Sequence, residues 1–482
     1  MPVTGPASGA VAAVDLGASS GRVVLGRLGG GRVDISVVHR FANDPVELVD
    51  GLHWNIAELY RNVLIGLGMA CREASGIVGV AVDSWAVDYA LLRGDRMLGL
   101  PFHYRDDRNE AGVAGVRRRV VAEELYARNG LQHLPFNTVF QLATEGESLR
   151  AASSLLLIPD LITFWLSGEK IAEATNASTT GLLDVRIGAW DEDLISRLAF
   201  PRGLFQPIAE PGTIVGSLRV PVVDQIGSGG RIAVGTVGSH DTASAVVGAP
   251  MLTDDAAYIS CGTWGLVGLE LTSPVLSEES RRANFTNERG VDGRVRYLRN
   301  VMGLWLLSES IRWWERAGET IDLGDVLGQA AAVDEPVPVF DVDHPDLLAP
   351  GDLPGRIAQL LADSGQAGPQ TIAQTVRCIV ESLARAFATT LDEAERLCGR
   401  GIGIVHLVGG GARNALLCQL TADHAARTVL AGPVEATALG NVMVQARTHG
   451  LVSGGLESLR SIIASSSPPT MYHPRPVREP LR

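Results

Sequence analysis

The feature that most constrains the fold is a weak internal repeat. Residues 13 to 26, AVDLGASSGRVVLG, can be placed over residues 258 to 271, YISCGTWGLVGLEL. Each stretch has the pattern of a strand, a polar turn centred on a glycine (Gly17 or Gly262) and a second strand. Further on, VGVAVDS (78–84) and VHLVGGG (405–411) are typical of buried strands that end in a polar or glycine loop. The repeat predicts two similar halves, joined near residues 243 to 256.

Between the repeated stretches, short β-branched runs alternate with long helical patterns such as residues 55–74 and 370–397. This alternation predicts an α/β fold. A chain of 482 residues is longer than one hydrophobic core usually serves, so two domains are expected. We predict domains at 10–245 and 246–462, with a proline-rich tail at 463–482 and a loose segment at the first nine residues.

Composition excludes several classes of partner. The chain has 54 acidic against 41 basic residues, a formal charge of −13 and no basic stripe, which argues against nucleic acid and anionic membranes. A nucleotide is still compatible, because backbone dipoles and a metal can hold it locally. The five cysteines show no paired spacing, and no apolar run reaches the ~20 residues that span a bilayer. We therefore expect a cytoplasmic protein with reduced cysteines.

The turn DLGASSGR, residues 15 to 22, is a candidate phosphate site. Glycines let backbone N–H groups approach a phosphate closely, Ser19 and Ser20 add hydroxyl donors, and Arg22 adds positive charge. Asp15, at the end of the first strand, could hold a hydrated Mg²⁺ beside those phosphates. The alternative is an ordinary hairpin with a solvent-facing arginine.

Two further glycine turns resemble nucleotide contacts. SCGTWG, residues 260 to 265, offers the hydroxyl of Thr263, although a plain tight turn would look the same. In VHLVGGGARN, Gly409 to Gly411 would let a flat ring lie against bare backbone at a helix N-terminus. The alternative there is a flexible connector. The pattern is not GxGxxG, so a dinucleotide fold is not indicated.

A lone carboxylate, Asp241, lies in VGSHDTASAVV where a strand gives way to a helix of small residues. The helix start has a positive dipole end that favours an ionised carboxylate. Structurally, Asp241 could simply be the N-cap residue. Functionally, it could accept the proton of a substrate hydroxyl during phosphoryl transfer.

Taken together, VDLGASSGR, GSHDTASAV, CGTWG and VGGGARN resemble, in this order and at these distances, the motifs of the FGGY carbohydrate kinases. That family is part of the sugar kinase, Hsp70 and actin superfamily. The resemblance covers roughly residues 10 to 460, and an ordered set of motifs is more specific than any one of them. It implies two ribonuclease H-like, actin-like ATPase domains that flank a cleft for ATP and sugar.

Finer stretches, among them DSWAVDYALL, LPFHYRDDRN and NFTNERGVDGRVRYLRN, resemble the branch of the family that phosphorylates L-rhamnulose at O1. The resemblance implies ATP and Mg²⁺ as cofactors and leaves the oligomeric state open. Kinases for another ketose or polyol (L-fuculose, D-xylulose or L-ribulose) are the main alternative. An actin-like or Hsp70-like ATPase without a sugar substrate is the second.

Residue roles follow from the resemblance by position. For ATP, the implied contacts are Ala18, Ser19, Ser20, Gly21, Arg22, Thr263, Ser308 and Gly410. For the sugar, they are Ala86, His240, Asp241, Thr242 and Asn300, with Asp241 as the base, and Asp15 is the candidate metal ligand. Two positions depart from the family pattern, because Ala86 replaces a glycine and Ser308 replaces a glutamine. Trp85 is a candidate apolar contact for the sugar's methyl end, and a buried core role is the commoner alternative.

Overall fold

The computed structural model describes residues 9–475, and the chain forms two compact units. The first unit contains the chain up to Leu252, together with Glu270–Tyr297 and Ala436–Ser467. The second contains Thr253–Leu269, Leu298–Glu435 and the chain from Pro468 onward. Residues 1–8 and 476–482 lie outside the described residues, whereas the first part of the predicted tail contains the end of the helix Leu456–Ser466 and the strand Thr470–Tyr472.

The first unit is built on a six-stranded sheet. Its strand order is Ile214–Ser217, Ala233–Gly235, Ile77–Ser84, Gly9–Leu16, Ser20–Gly29 and Arg32–Ala42. The last three form an antiparallel meander, and Gly9–Leu16 pairs in parallel with Ile77–Ser84. Gly9–Leu16 is buried along almost its whole length, as expected for a strand with both sheet faces covered.

The second unit repeats this topology. Its sheet has seven strands, in the order Thr286–Arg289, Val295–Met302, Trp264–Leu271, Ala256–Cys261, Ile404–Val408, Thr428–Ala431 and Thr470–Tyr472, of which Thr286–Arg289 is an additional edge strand. Again an antiparallel hairpin is followed by a crossover to a parallel neighbour, Ile404–Val408. The strand Thr470–Tyr472 lies in the predicted tail and pairs with Thr428–Ala431. The predicted internal repeat and the two-domain α/β fold are confirmed.

Helices cover the sheets, and the two predicted long helices are present at Ile56–Glu73 and Ile372–Cys398. The other helices of the first unit are Asn109–Arg117, Ala122–Asn129, Thr138–Leu142, Glu147–Ala151, Ile158–Ser167, Ala174–Ala177, Glu192–Arg197, Val220–Ile226, Asp241–Gly248, Glu278–Arg282, Ala436–Thr448 and Leu456–Ser466. Those of the second are Trp305–Arg316, Leu323–Ala331, Leu353–Asp363 and Ala415–Ala425. Short strands lie at Pro45–Leu48, Gly51–Trp54, Tyr89–Arg93, Arg96–Met97, Ser154–Leu157, Ala172–Glu173, Leu183–Asp184, Ala189–Trp190, Ile208–Ala209 and Thr286–Arg289. Within residues 9–475, no helix is long and apolar enough to cross a membrane.

Two helices of the first unit, Asp241–Gly248 and Ala436–Thr448, pack with their backbones in contact. A methyl group added at Gly440 would overlap the carbonyl oxygen of Ser244, and one at Gly248 would overlap that of Ala436. Only glycine at both positions allows this close approach. The contact fixes the helix that begins at Asp241.

Candidate active site

The turn after the first strand of the first unit is held by its own backbone and by a buried asparagine. Gly17 N donates to Ser20 O at 2.9 Å. Asn43, only 3% exposed, donates from its backbone N to Ser19 O at 3.1 Å and from Nδ2 to Gly17 O at 2.8 Å. Ser19 is exposed, and Ala18 and Ser20 are half-buried. These hydrogen bonds from Asn43 could not be predicted from the sequence pattern, because Asn43 lies in the loop after the strand Arg32–Ala42.

The arginine of this turn is an ion-pair partner and does not simply face solvent. Arg22 donates to Oδ2 of Asp15 from Nε at 2.8 Å and from Nη2 at 2.5 Å. The alternative of an ordinary hairpin with a solvent-facing arginine is therefore wrong on this point. Gly21 has a packing reason to be glycine, since a methyl group there would overlap the ring of Phe41. Its contact with ATP stays a prediction.

Asp15 does not stand alone, because Asp83 lies directly opposite it on the parallel neighbouring strand. Asp83 is fully buried, and its Oδ2 accepts a 2.5 Å hydrogen bond from Nδ2 of Asn441. Burial raises the pKa of Asp83 well above its usual range, and the charges of Asp15 and Asp241 raise it further, against the opposing hydrogen bond from Asn441. Three carboxylates thus influence one another in this unit.

This pair fits a hydrated divalent cation. Oδ1 of Asp83 is buried and has no hydrogen-bond partner among the described residues, which leaves an acceptor oxygen beside Asp15. Within residues 9–475, no group of three or more His, Cys, Asp or Glu side chains is arranged to enclose a metal ion. Mg²⁺ needs no such cage, because it keeps several waters and is typically held by one or two carboxylates plus substrate phosphates. Asp15 therefore suits the predicted role, and Asp83 is a second candidate that sequence analysis missed.

Asp241 begins the helix Asp241–Gly248, but the N-cap residue is His240. The N-cap reading of Asp241 is therefore wrong by one residue. Its Oδ1 accepts hydrogen bonds from N of Thr242 at 2.6 Å and from Oγ1 of Thr242 at 3.2 Å. Its side chain is 30% exposed, so a substrate can reach it.

The protonation of Asp241 is set mainly by its surroundings. Burial raises the pKa of Asp241 above its usual 3.8; His240 opposes this shift and Asp15 adds to it. Burial therefore outweighs the expected effect of the helix start, which would lower the pKa of Asp241. A raised pKa makes a carboxylate a stronger proton acceptor, which is the direction a general base requires.

The segment just before Asp241 is fixed by buried hydrogen bonds. Oε2 of Glu173 accepts from N of Ser239 at 3.2 Å and from Oγ of Ser239 at 2.6 Å. His240 N donates to Oγ1 of Thr175 at 3.2 Å. His240 is only 7% exposed, and its ring meets Glu288 and Arg296. Neither of those two residues was singled out from the sequence.

Ala86 is half-buried and precedes a strained turn. Val87 has a φ of +69°, and N of Asp88 donates to O of Ala86 at 2.9 Å, which closes a three-residue γ-turn. A β-branched residue at positive φ is a backbone outlier, and such outliers collect at functional sites. Oγ1 of Thr138 donates to O of Val87 at 2.6 Å and holds the turn in place.

Trp85 is 5% exposed and belongs to a buried aromatic cluster. Its ring lies 4.0 Å from that of Trp54, and both indole N–H groups donate to Oδ2 of Asp88, at 3.0 Å and 2.6 Å. Burial raises the pKa of Asp88 to about 6, although four hydrogen bonds oppose the shift. The core role of Trp85 is the one the contacts support, and its contact with a sugar stays a prediction.

In the second unit, the turn with Gly262 and Thr263 is held by the start of a helix. N of Leu304 donates to O of Gly262 at 2.8 Å, and N of Trp305 donates to O of Thr263 at 3.3 Å. Ser308 lies in the first turn of that helix, Trp305–Arg316, and is exposed. The turn with Thr263 and the helix with Ser308 are thus adjacent, and their contacts with ATP stay predictions.

The three consecutive glycines have different roles. Gly409 has a φ of +81°, and a methyl group at Gly411 would lie 2.6 Å from Sγ of Cys261. Gly410 is exposed, and a methyl group there would meet nothing closer than 3.9 Å. Two of the glycines therefore serve the fold, and Gly410 leaves open space of the kind a flat ring needs. The predicted helix start is displaced, since a 3₁₀ turn over Gly410–Arg413 precedes the helix Ala415–Ala425.

Comparison with protein families covers both halves of the chain. A model of the N-terminal domain of the FGGY family of carbohydrate kinases matches residues 10–248, and a model of its C-terminal domain matches residues 257–449. The chain belongs to the FGGY family of carbohydrate kinases. Kinases of this family use ATP, usually with Mg²⁺. Membership argues against the alternative of an assembly ATPase without a sugar substrate.

Relatives of this FGGY kinase match it almost end to end. A rhamnulokinase of Enterococcus faecalis is 38% identical over 98% of this chain and 95% of the relative. A rhamnulokinase of Pectobacterium carotovorum is 40% identical over 96% of this chain and 93% of the relative. Among solved structures, the gluconate kinase of Lactobacillus acidophilus has a TM-score of 0.78 at 16% identity, covering 98% of this chain and 94% of that one. At that identity, the structural likeness supports the fold alone.

Proposed function

We propose that this FGGY kinase transfers the γ-phosphoryl group of ATP to O1 of L-rhamnulose, in the breakdown of L-rhamnose. The observation that carries the proposal is the similarity to curated rhamnulokinases at 36–40% identity over nearly the whole chain. The geometry of the first unit supports the chemistry, because the partly exposed carboxylate of Asp241 has a raised pKa and begins a fixed helix.

In the proposed reaction, Asp241 orients O1 and accepts its proton as the bond to the transferred phosphorus forms. The bond from that phosphorus to the β-γ bridging oxygen of ATP breaks, and ADP leaves with its electrons. No covalent enzyme intermediate is needed. His240, Thr242 and Ala86 are the proposed sugar contacts of this unit. The turn with Ala18 to Arg22 is the proposed phosphate site, and Asp15 with Asp83 would hold Mg²⁺, which neutralises phosphate charge when bound.

The second unit contributes mainly nucleotide contacts in this proposal. Thr263 supplies a hydroxyl to the phosphates, and Gly410 with Ser308 borders the adenosine. Asn300, on the strand Val295–Met302, is proposed as a sugar contact. Serine is shorter than the glutamine that the family usually has at position 308, so this contact should be weaker than in the family.

We also place the reaction in the cytoplasm, as the sequence predicts. All five cysteines are free, and Cys261, Cys378 and Cys418 are buried. Burial raises the pKa of each of these three thiols to about 12, so they are unreactive. Reduced thiols of this kind are typical of a reducing compartment.

The substrate assignment is tested with one panel. Sugar-dependent ADP release is measured for L-rhamnulose, L-fuculose, D-xylulose, L-ribulose and glycerol, and the phosphorylated carbon is located by phosphorus-coupled NMR. We expect the highest kcat/KM with L-rhamnulose, slower turnover of related ketoses and very poor turnover of glycerol, because misplaced hydroxyls at buried polar sites are strongly rejected. An enzyme that prefers D-xylulose or glycerol would refute the substrate assignment and leave the family membership intact.

A further inference from the structure

The ring of His240 meets a buried ion pair that no motif of the sequence analysis explained. Arg296 is completely buried and Glu288 is 5% exposed, and both belong to the first unit. Nη2 of Arg296 lies 3.0 Å from Oε2 of Glu288 and 3.0 Å from Nδ1 of His240. Oε2 of Glu288 lies 3.2 Å from the same ring nitrogen. On the other side of the ring, Nε2 lies 3.4 Å from Oδ1 of Asp241.

The pair is charged and fixed. Nε of Arg296 donates to O of Arg289 at 3.0 Å, which sets the plane of the guanidinium group. Burial acts to raise the pKa of Glu288, the positive charge of Arg296 acts to lower it, and the pKa lies below its usual 4.5. Replacing a buried ion pair by apolar groups is often neutral or stabilising, so stability alone does not account for its presence.

Hydrogen-bond chemistry selects one form of the histidine ring. A guanidinium group only donates, so the Nδ1 that faces Arg296 must accept, and the proton of the neutral ring then lies on Nε2. An N–H at Nε2 also suits the carboxylate of Asp241, whereas a lone pair there would repel it. The contact with Glu288 would instead favour a proton on Nδ1. Two of the three contacts, including the one with hydrogen-bond geometry, favour the Nε2–H tautomer.

We propose that Glu288 and Arg296 are positioning residues that hold His240 in its Nε2–H tautomer and aim this N–H toward Asp241 and the reacting end of the sugar. Glu288 fixes Arg296, Arg296 fixes the ring, and the ring presents its donor beside the base. The inference rests on the proposed function in one respect, namely that Asp241 is the base. It requires a sugar hydroxyl as acceptor but no particular sugar.

The tautomer is observable without any turnover. The enzyme is labelled with ¹⁵N-histidine, the ring signals are recorded in two-bond ¹H–¹⁵N spectra, and His240→Asn identifies the signal of interest. We expect the shift pattern of an Nε2–H ring in the parent. We expect this preference to be lost in the double variant Glu288→Gln/Arg296→Met, which removes both charges together. An Nδ1–H pattern in the parent would overturn the proposal, whether or not any variant folds.

Kinetics separate positioning from simple support of the fold. In the double variant we expect kcat to fall roughly tenfold, because small displacements of reacting groups are costly, while KM for the sugar changes less. Arg296→Lys, which keeps a donor and the charge, should recover part of the loss. These measurements use whichever panel sugar the enzyme turns over best, so a wrong substrate assignment and a failed positioning role give different results.

The matched control is a second buried ion pair of this unit, Arg460 with Glu270, joined at 2.9 Å and 3.1 Å. Its side chains are 4% and 9% exposed, and Nη2 of Arg460 also donates to O of Val246 in the helix that begins at Asp241. Glu270→Gln/Arg460→Met should shift the melting temperature by a similar amount but keep kcat within about twofold. Equal losses of kcat in both double variants would show that Glu288 and Arg296 act only through stability, and the positioning role would be wrong.

Discussion

The two sheets share the same order over six strands but have different side chains at matching positions. In the first unit, Asp15 on the first strand lies opposite Asp83 on its parallel neighbour. In the second unit, the matching strands place Ser260 opposite Val408. A duplicated backbone therefore presents buried carboxylates in one unit and neutral side chains in the other. Function depends on the side chains that a fold presents, so the shared topology alone does not indicate what either unit does.

The loops that follow these strands differ in the same way. After Ile77–Ser84, the first unit has the buried Trp85, the half-buried Ala86 and the strained Val87. After Ile404–Val408, the second unit has three glycines, of which Gly410 is exposed. One loop is shaped by side chains and strain, and the other by bare backbone. This contrast agrees with a sugar site in the first unit and an adenosine site in the second.

The largest effect is expected at Asp241, the proposed base of the first unit. Asp241→Asn preserves the shape of the side chain but removes its ability to accept a proton, so we expect kcat to fall by about 10²-fold or more. Activity needs the ionised carboxylate, so parent kcat/KM should fall as the pH drops through a pKa that burial has raised above 3.8. Steady-state kinetics against pH, with thermal melts as control, measure both effects. A variant that melts normally and turns over within about threefold of the parent would refute the role.

The next prediction concerns Asp83, because the matching position in the second unit is Val408. Its pKa is raised in the folded state, so the folded protein holds this proton more tightly than the unfolded chain, and its contribution to stability decreases as the pH rises above about 4. Asp83→Asn should flatten that decrease and raise the melting temperature at neutral pH. If Asp83 supports Mg²⁺, kcat should fall roughly tenfold and the Mg²⁺ concentration for half-maximal rate should rise.

The readout is a set of melting curves across the acid and neutral range, together with a Mg²⁺ titration of the rate. Asp15→Asn is the comparison, since it removes the charge of a carboxylate that forms an ion pair with the partly exposed Arg22. A lower melting temperature for Asp83→Asn than for the parent at neutral pH would contradict the expectation that ionisation of the buried Asp83 destabilises the folded protein.

Two neighbouring glycines of the second unit, Gly410 and Gly411, test whether its glycine loop serves the fold or binds the nucleotide. Gly411→Ala would place a methyl group 2.6 Å from Sγ of Cys261, and overpacking of this kind costs about 1–3 kcal/mol. We expect its melting temperature to fall by several degrees. Gly410→Ala has open space, so its melting temperature should hold while KM for ATP rises several-fold. Melting curves and ATP kinetics on the two variants separate fold from binding, and an unchanged KM for Gly410→Ala would remove Gly410 from the nucleotide site.

The smallest effect is expected at Ala86. Ala86→Gly removes one methyl group, and methyl-sized differences in a pocket are worth only about 1–3 kcal/mol. The variant should accept a bulkier ketose slightly better, such as L-fructose, which has a hydroxymethyl group where L-rhamnulose has a methyl group. The preference for L-rhamnulose over L-fructose should therefore decrease by no more than about fivefold. The ratio of kcat/KM values for the two sugars measures this. An increase in that preference would mean that Ala86 does not limit the size of the sugar site.

The sequence was informative where function and local pattern coincide. Both hairpins with central glycines, at Gly17 and Gly262, were predicted because strand, turn and strand are contiguous in the chain. The helix start near Asp241 was visible for the same reason. Its cap was misplaced by one residue, since cap identity depends on backbone angles that the pattern does not contain. Arg22 was ambiguous, because only the fold brings its side chain onto Asp15.

The supporting residues could not be predicted, because each acts across a long sequence separation. Asn441 reaches Asp83 from 358 positions away, and Arg296 reaches His240 from 56 positions away. A single sequence contains no local signal for such pairs. Of the missed residues, Asp83 would have been the easiest to predict. It is a carboxylate at the end of an apolar strand pattern, where charged residues are unusual.

The helix Ala436–Thr448 also has a consequence for how the protein is made. Nε2 of Gln445 donates to O of Ala12 at 3.0 Å, and Val442 packs directly on Gly26, so this late segment covers the sheet that the chain begins with. At about 5–20 residues per second, a ribosome needs on the order of 10–40 s to proceed from Leu252 to Ala436. During that interval the nascent first unit has an uncovered apolar face. A chain truncated before Ala436 would therefore lack part of the first unit as well as part of the second.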